Sequence, residues 1–308
     1  MAAAKVPVIV GPSGIGKTAV ALALAAHWPL EIVSADSRQV YRRLDIGTAK
    51  PTRRERLRTP HHGLDLIEPG ERYSAGRFAR EADGWIGDIA GRGKLPVVVG
   101  GTGLYVRALA DGLFLEPPLE AARRRALDAW LARLEPRELI RWVSRLDPAV
   151  RGGGRQRAAR ALELALLTGR ALEWWQQAAR SSGSVDAWYV VLSAPRAVLH
   201  QRIARRADEM IRRGLIEEVA SVLAEGHPAH AAGLDGIGIR EAVEYLHGKR
   251  PRASVAEAIA LGTRRYAKRQ ETWFRHQLGA PALTLDASRA PERLAAEIAV
   301  AWERRSHP

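Results

Sequence analysis

Lys17 and Thr18 close an eight-residue run, GPSGIGKT at residues 11–18, that matches the pattern G-x-x-x-x-G-K-[ST]. In such a run the backbone N–H groups of Gly11, Pro12's neighbours Ser13 and Gly14, Ile15 and Gly16 can turn toward one anion, and the following helix adds partial positive charge. Lys17 can neutralise phosphate oxygens, and the Thr18 hydroxyl can ligate Mg²⁺. The chemistry is that of a ligand carrying a diphosphate or triphosphate, and the spacing does not single out ATP. Asp36 stands in the polar run SADSRQ at residues 34–39, where it can act as a general base toward an incoming nucleophile. A turn or helix-capping role is commoner for an isolated Asp after a strand, and neighbouring motifs are what raise the catalytic reading. A third apolar run ends in Gly100, Gly101 and Thr102, where nucleotide-hydrolysing proteins with this loop usually carry an acidic residue that organises Mg²⁺ and water. That speaks against an ATPase or helicase.

The elements that must position these groups follow from apolar runs. Residues 6–10, 31–35 and 95–99 read as buried strands and residues 18–27 as an Ala/Leu-rich helix. Continuous apolar strands separated by helices predict a parallel α/β sheet of the P-loop NTPase type, flanked by helices. Ligands of such sheets lie beyond the carboxyl ends of the strands, so residues 11–18, Asp36 and Thr102 should converge. Further strands are expected at residues 188–192 and 283–285. Residues 117–183, bracketed by Pro117-Pro118 and Ser181-Ser182-Gly183-Ser184, have an Arg/Ala/Leu/Trp texture without strands and read as an inserted all-helical subdomain. Residues 1–116 and 184–308 form the catalytic core, whose stretch 198–277 is helical and broken near residues 226–228 and 233–238. No internal repeat is present.

The 308-residue chain is 46% apolar and 27% charged, a globular balance. Its net charge of +14, from 48 Lys and Arg against 34 Asp and Glu, makes nucleic acid the leading partner class, with a compositional bias toward Arg as the even alternative. The absence of Cys removes disulfides and thiolate chemistry and suits a reducing cytoplasm. The longest near-apolar stretch, residues 19–30, carries His27 and is too short to span a membrane. Residues 263–275 hold five basic residues, one acidic residue and three aromatics, which suits phosphate pairing by the cations with Tyr266, Trp273 and Phe274 mostly in the core. Gln156, Arg157, Ala158, Ala159 and Arg160, and then Arg202, Arg205 and Arg206, extend the positive charge. His61-His62 lacks the spacing of a zinc site and reads as structural or substrate-positioning, and Trp174-Trp175 as packing.

Taken in order, GPSGIGKT, SADSRQVYRRLDIGTAKP, PHHGLDLIEP, YSAGRF, VVVGGTGLYVRAL, QRAARALEL, GLIEEV and RYAKRQETWFR resemble the bacterial tRNA dimethylallyltransferases over nearly the whole chain. The resemblance implies transfer of a dimethylallyl group from dimethylallyl diphosphate, with Mg²⁺, to the exocyclic amine of the adenosine immediately 3′ of the anticodon, by a cytoplasmic monomer bound to the tRNA anticodon stem-loop. It implies that Asp36 is the general base, that Lys17, Thr18 and Arg206 serve the diphosphate, and that Thr102 positions the reacting groups. Implied tRNA contacts are Asp36, Ser37, Arg38, Gln39, Thr102 and Arg123; the run Gln156 to Arg160; Asp235, Gly236, Ile237, Gly238, Ile239 and Arg240; and Lys268, Arg269, Gln270, Glu271, Thr272, Trp273, Phe274 and Arg275. Two departures stand out: Ser13-Gly14-Ile15 replaces the usual Thr-Ala-Ser, and Ile239 replaces the usual Tyr. The rivals are a prenyltransferase acting on free adenine nucleotides, which would not need the helical insertion, and an ATP-dependent kinase or RNA-binding P-loop protein, which would be indifferent to the prenyl donor.

Overall fold

The computed structural model describes residues 4–114, 117, 119–150, 152, 154–178 and 182–306. Two compact units are present, Met1–Ala110 with Ser184–Pro308, and Asp111–Gly183. The second unit begins at Asp111, where the sequence suggested 117; the helix before it ends at Ala110, and Gly112 takes φ 77°. Of the brackets expected from sequence, Pro118 and Ser181 lie outside the described residues.

The strands of the first unit are β1 (Ala4–Val10), β2 (Leu30–Ser34), β3 (His61–His62), β4 (Leu95–Gly100), β5 (Val185–Ser193) and β6 (Leu283–Asp286), in the order β3-β2-β4-β1-β5-β6. All neighbours run parallel. Val8, Ile9 and Val10 are fully buried because helices cover both faces, which is why the central strands read as unbroken apolar runs. β4 pairs with β1 only from Val8 onward, so Pro7, which has no N–H to donate, precedes that ladder. β3 was not expected. Two residues carry no periodicity, and only the pairing of His61 with Ile32 and of His62 with Val33 reveals it.

The helices around this sheet are α1 (Lys17–Leu24), α2 (Arg53–Arg58), α3 (Ala75–Gly91) and α4 (Gly103–Ala110) before the second unit. The second unit holds α5 (Ala121–Arg133), α6 (Pro136–Leu146), α7 (Gly154–Thr168) and α8 (Leu172–Ala178). After it come α9 (Arg196–Arg212), α10 (Leu215–Ala224), α11 (Ile239–Leu246), α12 (Val255–Gln277) and α13 (Pro291–Ser306). α3 shows the rule: Ser74 caps it by accepting from the Arg77 N–H at 3.1 Å, and Phe78, Ala82, Ile86 and Ile89 recur on its buried face. α13 returns to cover the sheet, with Trp302 packing edgewise on Trp188 at 5.3 Å between ring centroids.

In the second unit Leu131, Leu139, Val143 and Leu162 form a small core of their own. Pro136 opens α6, and the Glu138 side chain accepts the Glu135 N–H at 2.9 Å. Trp175 packs against Trp174 and donates from its ring N–H to Thr168 at 3.0 Å, as packing requires, while Trp174 stays partly exposed.

Candidate active site

The order β2-β4-β1 brings three loop exits to one edge of the sheet. After β1, Gly16 adopts φ 105°, a left-handed conformation that L side chains rarely take, and opens α1. Ile15 is buried as an anchor. Arg202 of α9 donates to the Ile15 carbonyl at 3.0 Å and to the Ala287 carbonyl at 2.7 Å. Lys17 Nζ bends over the loop and donates to the Gly11 and Pro12 carbonyls at 2.8 and 3.0 Å. Its removal from water lowers its pKa to about 8; Asp36 opposes that fall and Arg206 adds to it. Lys17, Asp36 and Arg206 therefore share one electrostatic neighbourhood.

After β2 and β4 the chains pass very close together: a Cβ on Gly100 would lie 2.1 Å from the Ala35 carbonyl oxygen, so only glycine fits. Thr102 then donates its N–H to that carbonyl at 3.2 Å, and its hydroxyl oxygen accepts the Ser37 N–H at 3.0 Å. Asp36 Oδ1 accepts the Arg38 N–H at 2.9 Å, so the turn role weighed from sequence is real. The other carboxylate oxygen makes no hydrogen bond among the described residues, and Asp36 lines two cavities. A narrow one of about 40 Å³ is walled by Lys17, Thr18, Asp36, Gln39, His61 and Gly100. An adjoining one of about 300 Å³ is walled by Ser13, Asp36, Arg206, Tyr266, Arg269 and the segment from Asp235 to Ile237.

Helix α12 closes the site. Gln270 is buried; its Oε1 accepts the Ser13 N–H and its Nε2 donates to the Gly101 carbonyl, both at 2.8 Å. Of the three aromatics expected in the core only Phe274 is buried. Trp273 is half-buried and lies on Gly103, and Tyr266 faces the larger cavity because its helix position points toward Thr102 and Asp36. Lys268, Glu271 and Arg275 lie on the other flank of α12, along a cleft of about 960 Å³. Thr272 donates its hydroxyl back to the Lys268 carbonyl at 3.0 Å.

Arg38 pairs with Asp235 and donates to the Ala232 carbonyl at 3.0 Å, joining the β2 exit to the loop before α11. Gly238 N–H and Arg240 both bond to Glu241, at 2.6 Å each. Ile239 is 1% exposed and packs on Gly47, so the residue replacing Tyr sits in the core, where its side chain is withdrawn from any macromolecule. The same burial withdraws Gln270, Phe274 and, in the second unit, Ala158. Within that second unit Gln156 and Arg157 are exposed, Ala159 is half-buried, Arg160 bonds to Glu163 at 2.5 Å, and Arg123 pairs with Glu120 at 3.0 Å.

Sequence reasoning missed Lys50. It is buried and donates to the Tyr41 carbonyl, Asp45 and Asp65 at 2.6, 2.7 and 2.6 Å, holding the segment that follows Gln39. The His pair is structural on one side and faces the site on the other: His62 bonds to buried Glu31 at 2.7 Å, whereas His61 lines the narrow cavity and burial lowers its pKa. No cluster of three or more His, Cys, Asp or Glu able to hold a metal occurs among the described residues. No helix among them is long and apolar enough to cross a membrane.

The profile of the IPP transferase family matches residues 39–277, and that of isopentenyl transferase matches residues 4–63. A tRNA dimethylallyltransferase of Koribacter versatilis is 43% identical over 275 residues, covering 88% of this chain and 89% of the relative. One of Anaeromyxobacter dehalogenans (strain 2CP-C) is 44% identical, covering 88% and 92%. Among solved structures, the full-length tRNA isopentenylpyrophosphate transferase of Bacillus halodurans superposes with a TM-score of 0.71 at 33% identity, covering 98% of each chain. A eukaryotic dimethylallyltransferase acting on tRNA superposes at 0.79 with 26% identity, covering 98% of this chain and 80% of its own.

Proposed function

This chain belongs to the IPP transferase family, and on that premise we infer that its cleft transfers a dimethylallyl group from dimethylallyl diphosphate to the exocyclic N6 amine of the tRNA adenosine immediately 3′ of the anticodon. The observation that carries this reading is that Asp36 lines both the narrow cavity beside Lys17 and Thr18 and the wider one beside Arg206 and Tyr266. A donor held at the first meets an acceptor held at the second across one carboxylate.

The diphosphate of the donor lies on the loop at residues 11–18, with Lys17 and Arg206 balancing its charge. The adenosine leaves its stack and enters the wider cavity, because a stacked base cannot reach the donor. Its amine nitrogen attacks the first prenyl carbon, the carbon–oxygen bond to the diphosphate breaks, and Asp36 takes the proton the nitrogen releases. The loop N–H groups, Lys17 and Arg206 then hold the charge that develops on the departing diphosphate. Thr102 keeps Asp36 and Ser37 in place through its bonds to Ser37 and Ala35.

Mg²⁺ fits the donor set: the Thr18 hydroxyl, a hard oxygen ligand, faces a cavity of about 40 Å³, and this ion usually takes one or two protein oxygens, waters and substrate phosphates. There it would neutralise the leaving diphosphate. The cations Arg38, Arg240, Arg269, Lys268 and Arg275 serve the anticodon stem-loop, and Arg123, Gln156, Arg157 and Arg160 give the second unit, residues 117–183 by sequence, its share of that RNA. A monomer suffices, since one unit carries every group invoked for the chemistry.

The test offers the protein AMP and an anticodon stem-loop side by side with labelled dimethylallyl diphosphate. Label on the RNA supports the reading. Label on AMP alone would replace it with a free-nucleotide prenyltransferase.

A further inference from the structure

Two motifs have no role in the chemistry above, GLIEEV at residues 214–219 and LDIGTA at residues 44–49. They meet. Glu218 of α10 points its carboxylate at three consecutive backbone N–H groups: Asp45 and Ile46 each donate to Oε2 at 2.7 Å, and Gly47 donates to Oε1 at 2.8 Å. Successive N–H groups of this kind form an anion-binding nest, here filled by a side chain of the same protein through charge-assisted bonds.

The turn so gripped is one that would not hold its shape unaided. Ala49 sits at φ 47°, a left-handed conformation that costs a non-glycine residue free energy unless neighbours enforce it. Gly47 is pressed against Ile239, where a Cβ would come within 2.6 Å. What the turn presents to the cleft is a pair of carbonyls. Gln39 Nε2 donates to those of Thr48 and Ala49 at 3.4 and 3.2 Å, while Gln39 Oε1 accepts the Ser34 hydroxyl at 2.8 Å. The Gln39 amide, in the same cavity wall as Asp36, therefore has its orientation set from both ends.

We propose that Glu218 is a positioning residue for this site: by holding the 45–49 turn it fixes the Gln39 amide in the wall of the narrow cavity beside Asp36, where the acceptor amine must meet the donor. The inference rests on the transfer reading above. An amide at 218 presents one oxygen and one N–H₂ group, so Glu218→Gln turns a donor toward a backbone N–H and releases part of the turn.

The test is a double-mutant cycle of Glu218→Gln and Gln39→Ala. It is read as KM and kcat on the anticodon stem-loop, with inorganic diphosphate affinity and the NMR signals of the Gln39 side-chain amide, assigned by their loss in Gln39→Ala. Glu218→Gln should raise KM about tenfold in the wild-type background and less than about twofold when Gln39 is already Ala, because residues acting through one another are not additive. The Gln39 amide signals should move, and diphosphate affinity should not. Additive effects, or unmoved amide signals, overturn the proposal. Should Glu218→Gln fail to fold, Glu218→Asp keeps the charge but is one methylene short of the three N–H groups and gives the same readings. If the wild-type protein transfers nothing to RNA, the functional reading falls, while the Gln39 amide signals still decide the role of Glu218.

Discussion

Gln270 accepts a hydrogen bond from the backbone N–H of Ser13 at 2.8 Å, joining residues 257 positions apart in the chain. Its other end donates to the Gly101 carbonyl at 2.8 Å, so one side chain of α12 locks the phosphate loop to the exit of β4.

Gln270→Leu keeps the volume and removes both bonds, leaving a donor and an acceptor unpaired at about 1–3 kcal/mol each. The variant should melt at lower temperature and bind inorganic diphosphate more weakly, as read by calorimetric titration. Unchanged diphosphate affinity would restrict Gln270 to holding the fold.

Lys17 gives the pH dependence its sign. Its pKa in the free protein is about 8, below the ordinary lysine value of 10.5, and a bound diphosphate must raise it again. The complex therefore takes up a proton above pH 8. Affinity for the diphosphate should be level below that pH and fall by up to about tenfold per pH unit above it. Lys17→Arg stays charged throughout and shares the ligand's own titration, so the difference between the two profiles isolates Lys17. Parallel profiles would contradict the assignment.

Asp36→Asn retains an oxygen for the Arg38 N–H, hence the turn, and loses the proton acceptor. Single-turnover transfer should slow by about 10²–10⁴-fold while diphosphate affinity stays within about threefold. A normal rate would remove Asp36 as the base.

Glu31 is a stability determinant away from the chemistry. Burial alone would raise its pKa, but hydrogen bonds from His62, Lys94 and Arg92 bring it down to about 2, from 4.5. A carboxylate with a depressed folded-state pKa contributes stability that is complete above pH 4.5 and is lost as pH falls toward 2. Glu31→Gln should therefore lower the melting temperature near neutral pH, and the gap from wild type should close through that window. A gap that persisted at the acid end would place the cost in packing and not in charge.

The parts of this molecule that were legible in its sequence are the local ones. The phosphate loop is eight consecutive residues, and β1, β2 and β4 are runs of buried aliphatics, so Asp36 and Thr102 could be brought to one edge by topology alone. β3 escaped because two residues hold no pattern. Gln270 and Glu218 read as ordinary helix-surface residues; their partners, Ser13 and the N–H groups of residues 45–47, become neighbours only when α12 and α10 pack. Tyr266 was expected in the core by its type and faces the cleft by its helical phase. Ile239, among the tRNA contacts that the resemblance implied, is a packing residue against Gly47.

The central claim is a transfer to one nitrogen of one base. Purified protein incubated with an unmodified anticodon stem-loop, dimethylallyl diphosphate and Mg²⁺, followed by nuclease digestion and nucleoside mass analysis, tests it most directly. The predicted result is a single new nucleoside, adenosine carrying a dimethylallyl group on N6, from the position 3′ to the anticodon, with one diphosphate released per group transferred. Unmodified RNA after full incubation, or a prenyl group on any other base, would contradict it.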